Sequence, residues 1–97
     1  MGLAIVPLRV EADRLALARP IRYHGGMLSA DGVGAATVTV YQGVDAGGTP
    51  IDAFYAATSD NDVHWLDSGI LLDAGLYVNV GANVALVVLF VSYPQGE

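Results

Sequence analysis

Residues 35–42 read AATVTVYQ. Successive side chains of an extended chain point to opposite faces, so Val38 and Val40 share one face and Thr37, Thr39 and Tyr41 the other. β-Branched and aromatic residues fit a half-buried pleated surface. The stretch is bounded by Asp31-Gly32 and Gly34 on one side and by DAGGTP at 45–50 on the other. Both flanks carry turn chemistry, because Gly reaches left-handed backbone and Asp bonds to its own main chain. This is a strand, and the same grammar extends outward in both directions.

Toward the C-terminus, 51–58 is a shorter strand and SDND at 59–62 a polar loop. VHWLDSGILL at 63–72 reads as two short strands kinked at Ser68-Gly69, and Asp73-Ala74-Gly75 as a turn. LYVNV at 76–80 is a strand with Tyr77 and Asn79 facing one way, and Gly81-Ala82-Asn83 closes a tight hairpin. Residues 84–93 form the last strand, apolar enough to be buried on both faces or against a partner. Toward the N-terminus, 21–29 is a strand, and Gly25-Gly26 inside it marks a bulge or a close backbone approach.

Residues 1–19 differ. They are bracketed by Pro7 and Pro20, and they hold Arg9, Arg14 and Arg19. EADRLALAR at 11–19 suits two helical turns, with Asp13 and Arg19 placed as the helix dipole prefers. It equally suits an extended strand, since Leu15 and Leu17 alternate with Ala16 and Ala18. The expected organisation is an N-terminal arm over 1–19 and one all-β domain over 20–97. Short strands with turn signals about every ten residues indicate an antiparallel sandwich or barrel. A parallel α/β fold needs helical crossovers, and no such segment follows residue 20.

At 97 residues the chain makes one domain. Cysteine is absent, which removes disulfides and thiolate metal sites. Charged residues are only 14% of the chain against 54% hydrophobic, too few to dress a small domain's surface. The leftover apolar surface points to assembly, the alternative being a neutral Gly/Ala/Thr-rich surface on a monomer. The net charge is −6, and no arginine or lysine follows Gly25. An acidic body repels phosphate, so no nucleic-acid partner is expected. The apolar run at 84–91 is too short for a membrane helix, and the N-terminus lacks the basic region of a signal peptide, so no membrane association is expected.

Catalytic patterns are missing. His24 and His64 stand without metal-ligand spacing. Asp60-Asn61-Asp62 supplies oxygen ligands but not the rest of a calcium loop, and Asx residues also cap turns. No nucleophile elbow or phosphate-binding glycine loop occurs. Asp52 and Asp67 remain as an acid/base couple with nothing nearby to raise a carboxyl pKa. The expectation is a non-enzyme with no cofactor and no metal. The aromatics fall almost one per strand, suited to core packing, to sugar rings or to interface anchors. Trp65, beside His64 and Asp67, is the best single candidate for an exposed anchor, with Tyr77 and Phe90 next.

AATVTVYQGVDAGGTPI at 35–51, followed by SGILLDAGLYVNVGANVALVVLFV at 68–91, resembles small proteins of tailed bacteriophages. In these a Thr/Val strand ends in Tyr and a Gly turn, and Gly-Leu-Tyr-Val-x-Val-Gly leads into a valine-rich last strand. Several resemble capsid cement, or decoration, proteins. The resemblance covers about residues 20–93 and leaves 1–19 unmatched. It implies a jelly-roll-like β-sandwich, a homotrimer on the outer surface of a virion, and the major capsid protein as partner. Arg9, Arg14, Arg19, Trp65, Tyr77 and Phe90 are the expected contact residues. A receptor- or glycan-binding module of a virion fibre is the alternative.

Overall fold

The computed structural model describes residues 5–10, 20–45 and 47–92 in full, and 14–17 through their backbone. Eight strands follow in chain order: β1 Val6–Val10, β2 Arg14–Leu17, β3 Ile21–Ala30, β4 Ala36–Gln42, β5 Thr49–Ala56, β6 Asn61–Leu72, β7 Leu76–Val80 and β8 Val84–Ser92. They form two four-stranded antiparallel sheets, ordered β1-β8-β3-β6 and β2-β7-β4-β5. The chain is therefore an all-β sandwich. Among the described residues no helix is long and apolar enough to cross a membrane.

Among the described residues, only β4 and β5 are consecutive strands that pair with each other; every other connection carries the chain from one sheet to the other. This corrects one expectation. Gly81-Ala82-Asn83 does not close a hairpin, because β7 belongs to the second sheet and β8 to the first. The turn chemistry was read correctly (Asn83 has φ 62°) but a sheet-to-sheet corner uses the same residues as a hairpin. Three such corners are knitted together at one end. Asp31 N–H donates to the Asn83 carbonyl at 2.8 Å, and Ser59 N–H to the Asp31 carbonyl at 2.9 Å. The Asp31 carboxylate accepts from Val33 and Gly34 N–H at 2.8 and 3.2 Å.

The N-terminal segment enters both sheets. β1 pairs along its length with β8, from Val6 opposite Val91 to Val10 opposite Val87, and β2 pairs with β7. Residues 14–17 are extended, which takes the strand alternative for this stretch over the helical one; 11–13 and 18–19, Arg19 among them, lie outside the described residues. β8 is an interior strand between β1 and β3; one face lies in the core while Leu86, Val88 and Phe90 on the other are only half-buried, so it is not buried on both faces within this chain.

Alternation packs the core. Val38 and Val40 of β4 are buried together with Val78 of β7, Phe54 of β5, and Tyr23, Leu28, Leu89 and Val91 of the first sheet. Each fully buried aliphatic or aromatic side chain contributes about 1.5–3 kcal/mol. Within β3, Gly25 has φ +104°, and the register with both β6 and β8 shifts beside it, so the expected bulge is present. A Cβ added at Gly25 would run into the backbone carbonyl of His64. The opposite irregularity lies in β6. Four residues, 66–69, bulge where β3 spends one, and Gly69 has φ +73°, at the kink expected there.

Candidate functional site: an apolar sheet face and a histidine cluster

The outward face of the first sheet is unusual for a surface. The register aligns Arg9, Val88, Met27 and Val63 in one row across all four strands. Val63 is 61% exposed, while Met27 and Val88 are half-buried. Pro7 pairs with Phe90 in the adjacent row, and Trp65 stands opposite Gly25. Gly25 places no side chain between the two flanking strands, so Trp65 of β6 and Phe90 of β8 meet edge to face across β3, with ring centroids 5.8 Å apart. Trp65 remains 53% exposed.

Polar groups hold the indole in place. Trp65 Nε1–H donates to Asp67 Oδ1 at 2.6 Å, and the ring stacks on His24 at 6.1 Å. His24 is itself fixed. Its Nδ1–H donates to the Leu66 carbonyl at 3.1 Å, and Nε2 meets the Ser92 hydroxyl at 2.8 Å. A carbonyl can only accept, which assigns the Nδ1 proton. Arg22 Nη1–H donates to the Ser68 carbonyl at 3.1 Å, tying down the same bulge of β6. The anchor is thus preorganised rather than free to reorient.

Most of the acidic charge lies away from this face. Of the described aspartates, Asp31, Asp45, Asp60 and Asp73 lie in turns, Asp52 and Asp62 lie at the β5 and β6 edges, and Asp67 borders the tryptophan. The charged groups on this face are Arg9 at one end of the row, Arg22 beside the bulge of β6 and Asp67 against the indole; the apolar side chains lie between them.

The expected contact residues divide. Trp65 and Phe90 come together, and Arg9 lies exposed on the same face. Tyr77 is on the second sheet, opposite Tyr41 in the register, with ring centroids 6.1 Å apart. Arg14 is on β2 at the edge of that sheet.

A second cluster escaped the sequence reading. His64 lies on the inward face of β6, stacked on the buried Phe54 of β5 at 4.2 Å. Its Nδ1 is 2.9 and 3.0 Å from the two Asp52 oxygens, and its Nε2 is 3.2 Å from Asp62 Oδ2. Tyr23 O–H donates to Asp52 Oδ2 at 2.7 Å, and Tyr55 N–H to Asp62 Oδ2 at 3.0 Å. Burial works to lower the His64 pKa, but the hydrogen bond and charge of Asp52, then the charge and hydrogen bond of Asp62, outweigh it and raise it above the usual value. Burial, reinforced by the Asp52 carboxylate, pushes the Tyr23 phenol well above its ordinary range.

These contacts settle where the other candidates stand. His24 and His64 occupy opposite faces of the first sheet, and Asp52 and Asp67 bond to different partners. Asp60, Asn61 and Asp62 diverge: Asp60 accepts from Asn61 N–H, Asn61 from the Ser29 hydroxyl, and Asp62 joins the His64 cluster. The one sequence signal for the cluster is Asp62-x-His64, two polar residues at strand period on the inward face of β6.

No protein-family model, curated protein or solved structure matches the chain.

Proposed function

We propose that this chain is a virion structural protein, a capsid cement protein that binds the outside of a bacteriophage head at capsomer junctions and acts by assembly rather than catalysis. The observation that carries this reading is the apolar outward face of the first sheet, with Trp65 held against Phe90 and Val63 exposed beside it. A preorganised aromatic anchor within a low-charge patch has the anatomy of an interface centre. The strand orders β1-β8-β3-β6 and β2-β7-β4-β5 support taking the sandwich as a jelly roll, an architecture used by viral capsid proteins and lectins alike. The resemblance over residues 20–93 favours the capsid among these, since fold alone does not decide function.

In this reading the chain forms a homotrimer through the apolar face, and the trimer binds the major capsid protein. Arg9, Arg14 and Arg19 supply pairing groups for carboxylates on the shell or on a neighbouring subunit, each exposed pair contributing about 0–1 kcal/mol. The second outward face favours a second reading. Tyr41, Tyr77 and the exposed Tyr55 sit there among Thr37, Thr39 and Asn79, a surface suited to stacking sugar rings in a fibre module. Gradient purification of heads in the presence of the chain separates the two. Cement co-migrates with intact heads and raises their resistance to heat. Binding to immobilised glycans without binding to heads would replace this reading with the fibre module.

A further inference from the structure

We propose that His64, as an imidazolium held between Asp52 and Asp62, is a pH-operated clamp that fastens the β5 edge of one sheet to the β6 edge of the other.

The placement argues for it. β5 is the last strand of the second sheet and β6 the last strand of the first. Among the described residues each therefore pairs on one side only, and these edges close the same flank of the sandwich. An unpaired edge is the part of a sheet most ready to fray or to take on another chain. Three contacts span this flank. Asp52 of β5 meets His64 of β6, Tyr55 N–H of β5 donates to Asp62 of β6, and Tyr23 of β3 donates to Asp52. Phe54 of β5 stacks on the His64 ring with an interplanar angle of 16°.

Proton counting identifies the working state. Nδ1 faces Asp52 and Nε2 faces Asp62, and an ionised carboxylate only accepts. A neutral imidazole has one N–H and satisfies one of the two. The other nitrogen then points a lone pair at a carboxylate. Both contacts are attractive only when both nitrogens carry protons. Tyr23 spends its proton on Asp52, and no cation other than His64 contacts the pair in the described cluster.

The sign follows from linkage. The folded pKa is raised above the ordinary histidine value, so the clamp is complete below the unfolded pKa, about 6.5, and is lost as pH rises through the folded pKa. On the alkaline side, Asp52 and Asp62 are left facing each other across a neutral ring. Asp52 keeps Tyr23 O–H and Asp62 keeps Tyr55 N–H, but the neutral ring satisfies only one of the two carboxylates and neutralises neither, so the fastening of β5 to β6 loosens.

Nuclear magnetic resonance of the ¹⁵N-labelled whole chain tests this directly. The His64 ring should show two protonated nitrogens near pH 6 and titrate with a midpoint above 6.5. Over the same pH range, the protection factors of β5 amides, Tyr55 included, should fall several-fold after correction for intrinsic exchange, while the interior β4 strand stays protected. In His64→Gln the β5 protection should be low and independent of pH between 6 and 9. A midpoint at or below 6.5 would overturn the proposal, as would β5 protection that ignores the titration of His64. Should His64→Gln not fold, Asp62→Asn serves the same purpose: its His64 midpoint must drop, and an unchanged midpoint contradicts the clamp.

Discussion

The two outward faces of the sandwich are built by the same pleat over one shared core, yet they present opposite chemistry. The second sheet shows solvent Thr37, Thr39, Tyr41, Tyr77 and Asn79, each with a hydrogen-bonding side chain, and Ala53 beside Thr39. The first shows Met27, Val63, Trp65, Val88 and Phe90, with Arg9 at the end of their row and Asp67 at the indole. Antiparallel sheets normally keep one face in water and make it polar. The second sheet follows that rule and the first departs from it. Stability does not require the departure, because the core lies on the other side of both sheets. In the proposed reading, that difference marks the first sheet's face as the surface of assembly.

The largest effect expected is from removing residues 1–19. A chain beginning at Pro20 loses an edge strand from each sheet, and with β1 the buried Val10 and the cover over one side of β8. It should show no cooperative thermal transition by circular dichroism. Cooperative folding with retained assembly would mean that β1 and β2 are accessory to both faces.

Gly25→Ala comes next. The residue must leave φ +104° or drive its Cβ into the His64 carbonyl, and either route displaces β6 under the tryptophan. A cost of about 3 kcal/mol is expected, which lowers the melting temperature of a domain this size by roughly 12–24 °C. A loss under about 1 kcal/mol would show that the bulge relaxes freely.

Substitutions on the two faces sharpen the contrast. Trp65→Ser should weaken self-association by about 30-fold or more, the effect of an interface anchor worth about 2 kcal/mol, as read by sedimentation equilibrium. Tyr41→Ser, at an aromatic of the other face, should leave association unchanged. Reversal of the two results would move the interface to the second sheet. The smallest effect is expected for Tyr77→Ala. It removes the tilted pair with Tyr41 and should cost about 1 kcal/mol of stability by urea denaturation, without changing the oligomer.

The strands were legible because residue alternation needs no knowledge of partners. Val38 and Val40 inward, Thr37 and Thr39 outward, and the kink at Ser68-Gly69 all follow from local chemistry. Sheet membership was not legible. Gly81-Ala82-Asn83 reads the same whether it returns a strand beside its neighbour or turns it into the opposite sheet, and only the global packing decides. Residues 11–19 were open between helix and strand because nine residues with two leucines carry too little periodicity. Trp65 and Phe90 were each visible as anchors, but their meeting depends on Gly25 lying between β6 and β8. The His64 cluster joins Asp52, Asp62 and Tyr23 from three strands, with spacings that follow no motif. Its placement follows from two sheet edges meeting, which no local window contains.

Light scattering on the purified chain at micromolar concentration, beside Val63→Asp and Thr39→Asp, tests the central claim most directly. Val63 and Thr39 lie on the outward faces of the first and second sheets, so the same charge is placed on each in turn. The account predicts a trimer for the native chain and for Thr39→Asp, and a folded monomer for Val63→Asp. A native chain that stays monomeric, or a trimer that survives Val63→Asp and dissociates with Thr39→Asp, would contradict it.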